Sequence, residues 1–165
     1  MQRNVRIRDF RPDDAAALAE LFHLSVHIVG AKDYSSAQVH VWSPAPQSAE
    51  QFLQRASDGR RVFVAIANDD APCGFIELEA DGHIDCFYCH PAFVGKGAGS
   101  MLYEALETDA INAGHQTLRV EASEGAKRFF THKGFTIIAR QNFERSGVWI
   151  HNYRMIKNLA AAPRR

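Results

Sequence analysis

The chain has 165 residues, 46% of them apolar, with nineteen Lys and Arg against nineteen Asp and Glu. That length and composition suit one globular domain with its own core. The charge balance argues against a nucleic acid or a membrane surface as partner, because either calls for a basic excess.

The opening, MQRNVRIRDF, is charged and lacks the apolar region of an export signal, and no apolar run reaches membrane-spanning length. The expected location is therefore cytoplasmic. The cysteines Cys73, Cys86 and Cys89 are odd in number and are expected as reduced thiols.

Val5, Ile7 and Asp9 alternate with Arg6, Arg8 and Phe10, which predicts a first strand. Pro12, Asp13 and Asp14 open a helix whose apolar stripe is Leu18, Leu21, Phe22, Ser25 and Val26, with Gly30 expected to end it. Asp33-Tyr34-Ser35-Ser36 starts a second, shorter helix towards Trp42, with Ser35 or Ser36 as cap. Ser48 caps a further helical piece at 49–56. The stretch 27–42 is rich in His, Tyr and Trp and reads equally as core packing or as a substrate wall. Residues 61–67, 74–79 and 84–89, separated by turns at Asn68-Asp69-Asp70-Ala71-Pro72 and Asp81-Gly82, predict an antiparallel meander.

The rest of the chain is organised around the stretch 83–106. Pro91 ends the apolar run, Gly95, Gly97 and Gly99 follow at alternate positions, and Met101, Leu102, Ala105 and Leu106 then recur at helical spacing. Strand, glycine loop and helix in that order put free backbone N–H groups at a helix N-terminus, a site for phosphate. The P-loop pattern fails because Lys96 precedes Gly97, and the dinucleotide pattern fails because the third glycine comes one residue early. Gly114 suits a helix end, 116–121 a strand parallel to 84–89, and Ser123 to Gly134 a helix. Two long strands, 135–144 and 148–157, meet at Arg145-Ser146-Gly147. The element order reads β-α-α-β-β-β-α-β-α-β-β, with residues 1–158 as one domain and 159–165 as a frayed tail.

Cys86-Phe87-Tyr88-Cys89-His90 matches a haem-attachment spacing. In an extended strand, however, residues three apart point to opposite faces, so the two thiols read as small apolar side chains and no metal is expected.

The glycine stretch resembles the coenzyme A signature of the GNAT superfamily of N-acetyltransferases: strand, x-Pro, Arg/Gln-x-x-Gly-x-Gly/Ala, helix. Lys96-Gly97-Ala98-Gly99 matches its second half, while Val94 stands where the family commonly carries Arg or Gln. A second landmark runs from Ala126 through Phe129 and Phe130 to Gly134-Phe135. The finer resemblance is to the YafP-like bacterial branch, through Asp33-Tyr34-Ser35, Trp42 and the ending Gly147 to Met155. The resemblance implies a mixed α/β (α+β) single-domain fold, with a twisted mixed sheet of about seven strands and helices on both faces. It implies acetyl-CoA as cofactor, held by Val94, Gly95, Lys96, Gly97, Ala98, Gly99 and Ser100, with Ser123, Ala126, Phe129 and Phe130 beside it. The pantetheine arm would pair with the strand edge Phe87-Tyr88-Cys89, the Cys89 N–H facing the thioester carbonyl. Phe130 replaces the Tyr that often serves the family as acid, and Phe has no proton to give.

The candidate bases are Glu77 or Glu79 and Asp85, and Tyr153 is a candidate for orienting substrate or donating a proton. His27, Tyr34, Trp42 and Trp149 would line the acceptor. The expected activity is transfer of an acetyl group from acetyl-CoA to a primary amine of a small molecule or peptide. The alternative is an acyl-CoA-binding sensor without turnover. The long final strands offer an edge for a homodimer.

Overall fold

The computed structural model describes residues 4–160. In chain order the elements are β1 (Arg6–Asp9), α1 (Ala15–Ile28), α2 (Ser36–Trp42), α3 (Ala49–Ala56), β2 (Arg61–Ile66), β3 (Pro72–Leu78), β4 (His83–Cys89), α4 (Ala98–Asn112), β5 (Thr117–Ala122), α5 (Glu124–His132), β6 (Thr136–Arg145) and β7 (Val148–Asn158). The helical piece expected at 49–56 is a full element, which gives three helices between β1 and β2 where the expected order counted two. Residues 49–56 form a helix in their own right because Ser48 and Gln51 close a reciprocal cap: Ser48 Oγ accepts the Gln51 N–H (3.1 Å) and Gln51 Oε1 accepts the Ser48 N–H (3.0 Å). Ser35 and Gln38 do the same at the start of α2. Gly30 does not end α1, which stops at Ile28; Gly30 opens a short 3-10 turn instead.

The seven strands form one sheet in the order β1-β2-β3-β4-β5-β7-β6. All neighbours are antiparallel except β4 and β5, whose connection runs through α4. Strand alternation divides the core in two. Val62, Val64, Ile66 and Phe75 face α1 and α3, while Phe63, Ala65, Ile76 and Leu78 face α4 and, with Phe130 and Phe135, complete the other layer. The buried stripe of α4 is Ala98, Leu102, Tyr103, Leu106 and Ala110; Met101, expected inside, lies 38% exposed.

Two features of β4 prepare the site. Its parallel pairing with β5 covers only His83↔Arg119 and Ile84↔Val120, after which the strands part. Against β3 the register shifts between Leu78↔Ile84 and Ile76↔Phe87, so β4 carries one extra residue there. Such a bulge bends its strand and reverses which residues face which neighbour. Beyond it, the His90 N–H donates to the Cys73 carbonyl of the β3 side (2.8 Å). By alternation the N–H groups of Phe87 and Cys89 then point the other way, into the gap left by β5.

At the far end of the domain, the Leu159 N–H donates to the Gln116 carbonyl (2.8 Å), so this first residue of the expected tail is tied in. Residues 161–165 of that tail lie outside the described residues. No helix among the described residues is long and apolar enough to cross a membrane.

Candidate active site

Two cavities meet where β4 and β5 part. The first, about 210 Å³, is lined by Val26, Val29 and Asp33 from the first helical layer, by Phe87, Tyr88 and Cys89, by Val94, Gly95 and Gly99, and by Ser123, Gly125, Ala126 and Phe129. The second, about 300 Å³, is lined by Asp85, Glu121, Phe143, Arg145, Ile150, His151 and Asn152. Tyr34, Trp42, Tyr88 and Ser123 belong to both.

The first cavity ends at the glycine loop. Gly95 and Gly97 have φ of +74° and +88°, a region that disfavours every side chain, and a Cβ on either would meet nothing within 4 Å. The open space therefore lies on the side the loop presents to solvent. The first bond closing α4 runs from the Met101 N–H to the Gly97 carbonyl (3.2 Å), which leaves the amides of Gly97, Ala98, Gly99 and Ser100 without a helical acceptor. Gly99 has a different reason to be glycine: a Cβ there would stand 3.0 Å from Phe87 Cζ. Amides, helix dipole and absent side chains together suit a pyrophosphate. Lys96 is exposed beside them, Ala98 is buried, and Ser123 caps α5 by accepting the Ala126 N–H (3.2 Å).

Several expected site residues lie elsewhere. Phe130 is 1% exposed and packs its ring against Phe87, Tyr103 and Phe135; it does not line the cavity, and Phe129 does. Tyr153 donates to Glu124 Oε2 (2.8 Å) with Lys127 Nζ 4.2 Å over its ring, outside both cavities. His27 faces away and hydrogen-bonds the Ser43 carbonyl (2.7 Å) after α2. Trp149 is 63% exposed and offers only its carbonyl, to Gln38 (2.9 Å). Glu79 lies past the end of β3 and lines neither cavity, while Glu77 is fully buried between Arg60 (2.7 Å) and Arg55 (3.0 Å), its carboxyl pushed upward by burial against those two charges. Cys86 sits in the α1–α3 layer, accepting from Arg55 (3.0 Å), whereas Cys89 packs on the α4 side; the two thiols lie on opposite faces of the sheet.

Tyr34 and Asp85 stand where the site needs them. Tyr34, nearly buried, donates to the His151 carbonyl (2.9 Å) and accepts the Glu124 N–H (2.9 Å), tying the start of α2 to β7 and to the first turn of α5. Tyr34→Phe takes the hydroxyl partner from two half-buried backbone groups, so urea unfolding should show a loss of about 1 kcal/mol or more. An unchanged midpoint would remove this tether from the account. Asp85 accepts from Arg60 (2.7 Å) and lies 3.5 Å from Arg55, both through Oδ2.

Sequence reasoning missed a relay behind the second cavity. Glu121 Oε2 bonds His83 Nε2, and His83 Nδ1 bonds Glu79 Oε1 (2.7 Å). Glu121, then burial opposing it, then Glu79 set the His83 imidazole, whose pKa is raised to about 9. Asp85 lies within 4.8 Å of both His83 and Glu79. Across the gap, Lys127 first and His151 (2.6 Å) next hold the Glu124 carboxyl down at about 2.

A splayed parallel pair, a free strand edge and a glycine loop at a helix N-terminus are the features that the sequence resemblance implied. The acetyltransferase (GNAT) domain model matches residues 30–157, and the chain belongs to that family. It is 30% identical over 152 residues to YafP, an N-acetyltransferase of Escherichia coli strain K12 whose function is uncharacterised, across 92% of this chain and 95% of that protein. The structure of a GCN5-related N-acetyltransferase from Rhodopseudomonas palustris superposes with a TM-score of 0.87 at 34% identity, covering 96% of this chain and 98% of that one. The paiA N-acetyltransferase of Thermoplasma acidophilum, solved in complex with coenzyme A, shares the fold at a TM-score of 0.74 and 22% identity, covering 94% and 99%.

Proposed function

We propose that the protein transfers the acetyl group of acetyl-CoA directly to a primary amine of a small molecule or peptide. The observation that carries this reading is the junction of two cavities at the β4–β5 gap, one ending on free helix amides and the other on carboxylates. Acetyl-CoA supplies an activated acetyl group, transferred when an amine nitrogen bonds to its carbonyl carbon and the C–S bond breaks. The amides of residues 97–100 hold the pyrophosphate, and the free edge of Phe87 and Cys89 pairs with the pantetheine amides. The Cys89 N–H donates to the carbonyl oxygen as charge develops there. An acceptor arriving as ammonium gives up its proton to Glu121, backed by His83 and Glu79. The nitrogen sheds its second proton as the amide forms and the departing thiolate takes it up, with no strong acid needed since a thiol's ordinary pKa is modest. The Ser123 hydroxyl, capping α5 with its oxygen, keeps its hydrogen free for that sulfur. Phe130 takes no part in the chemistry.

The direct test offers purified protein acetyl-CoA and a panel of primary amines, following coenzyme A release and product mass. Acetylated product is expected; binding of acetyl-CoA with no amine acetylated would favour the sensor. Direct transfer also predicts that Cys89→Ala keeps most of the wild-type turnover. Burial raises the Cys89 thiol to about 12, so it is no nucleophile at neutral pH, and the backbone donor survives the substitution. An acetyl group trapped on Cys89 in intact-protein mass spectra would refute direct transfer.

A further inference from the structure

The second cavity is lined by carboxylates from β4 and β5 and by a guanidinium from the edge strand β6, two strands further along the sheet, and they say what kind of amine it takes. At one end three oxygens have no side-chain partner among the described residues. Asp85 meets Arg60 and Arg55 through Oδ2 alone, which leaves Oδ1. Glu121 meets His83 through Oε2 alone, which leaves Oε1. Asn152 Oδ1 is buried and has no hydrogen-bond partner among the described residues, and the same holds for Nε2 of its cross-strand neighbour Gln141. A buried acceptor without a donor is costly and calls for a ligand that supplies one. A primary ammonium brings three N–H donors, one for each of these oxygens.

At the other end stands Arg145, the last residue of β6, beside the hairpin turn. Its guanidinium lies 5.8 Å over the Phe143 ring and makes no ion pair among the described residues. An unpaired guanidinium is a planar donor matched to a carboxylate. Between the two ends the walls are Trp42, Tyr88, Phe143 and Ile150, which are aromatic or aliphatic. The volume of about 300 Å³ is at the small end of ligand sites and fits a molecule of amino-acid size.

We infer that the acceptor is a small amine that also carries a carboxylate, an amino acid with an apolar or aromatic side chain, its ammonium at Asp85, Glu121 and Asn152 and its carboxylate at Arg145. This inference rests on the acetyltransferase reading above. Uncharged amines of the same body fill the walls but leave Arg145 unpaired, and a peptide N-terminus places its carboxylate far from it. Specificity of this kind is a difference between matched ligands, and it is measured as one.

The experiment compares L-phenylalanine and L-leucine with L-phenylalaninamide and L-leucinamide as acceptors, with acetyl-CoA saturating, in the wild type, Arg145→Gln and Arg145→Lys. In the wild type kcat/KM should favour each acid over its amide by about tenfold or more, the effect of one charge-assisted contact. Arg145→Gln should bring that ratio close to one, chiefly through KM, and Arg145→Lys should restore part of it. Equal use of acid and amide by the wild type overturns the inference and leaves the acetyltransferase reading standing. So does a ratio that Arg145→Gln leaves unchanged. Acetylation of simple amines but of no amino acid has the same meaning. No acetylation of any amine overturns both readings.

Discussion

Gly97→Val should lower acetyl-CoA affinity at least tenfold, about 1.4 kcal/mol, while leaving a folded protein. The two parts of that expectation have separate physical sources. Gly97 has φ +88°, which costs a branched L-residue roughly 1–2 kcal/mol of backbone strain, yet its added side chain would touch nothing within 4 Å of its Cβ. The fold therefore bears strain but no clash. The side chain would instead project where the loop amides offer themselves, and there it holds a pyrophosphate off the donors at the α4 N-terminus. Calorimetry of acetyl-CoA binding, beside a urea curve for the same variant, separates the two. Wild-type affinity in folded Gly97→Val would move the phosphate away from this loop. Gly99→Val is the contrasting case, because its Cβ would meet Phe87 Cζ at 3.0 Å and the loss there should appear in stability as well.

That glycine loop was legible because its requirement is local: positive φ, no side chain and a helix directly behind it. The strands and caps were legible for the same reason, and strand alternation in the structure then divides 61–66 between the two core layers. Residues whose roles depend on distant partners were not. The one-residue bulge in β4 reverses the strand's facing beyond Ile84, and no composition signal marks it. Phe130 aligns with a reactive Tyr in the family pattern, but its ring closes the aromatic cluster around Tyr103 and never reaches the cavity. Tyr153 and His151 are both drawn to Glu124, whose position at the head of α5 is set by a tether from Tyr34, 90 residues earlier in the chain. Arg145 looked like hairpin punctuation, and Glu121 like the polar end of a strand. A carboxylate at the point where β5 parts from β4 was the signal available for Glu121. It becomes one only after the parallel pairing is known to stop at Ile84.

The largest loss should follow Glu121→Gln: turnover down by ~10²–10⁴, the contribution of a well-placed proton acceptor. Glu121 is the wall residue through which His83 communicates with the second cavity, and Glu79 holds the far side of the same imidazole. The charged groups around His83 are Glu121, Glu79 and Asp85, with Arg119 acting on Glu121 and with Arg60 and Arg55 engaging Asp85. Carboxylates outweigh cations in direct contact with the ring, and its pKa is raised to about 9. A protonated imidazole cannot pass a proton onward from Glu121. Wild-type turnover should therefore climb as pH rises through about 9, and His83→Gln should flatten the climb. Stability runs the other way over the same window. A folded pKa above the ordinary value of 6.5 contributes fully below 6.5 and is lost as pH rises through about 9. The gap corresponds to on the order of 3 kcal/mol, read as a urea midpoint that falls between pH 6 and pH 10 in the wild type and hardly at all in His83→Gln. A purely structural role would move the urea midpoints and leave the shape of the pH–rate curve alone. If Glu121→Gln and His83→Gln both keep the wild-type curve, the proton leaves by another path, and Asp85→Asn becomes the variant to measure.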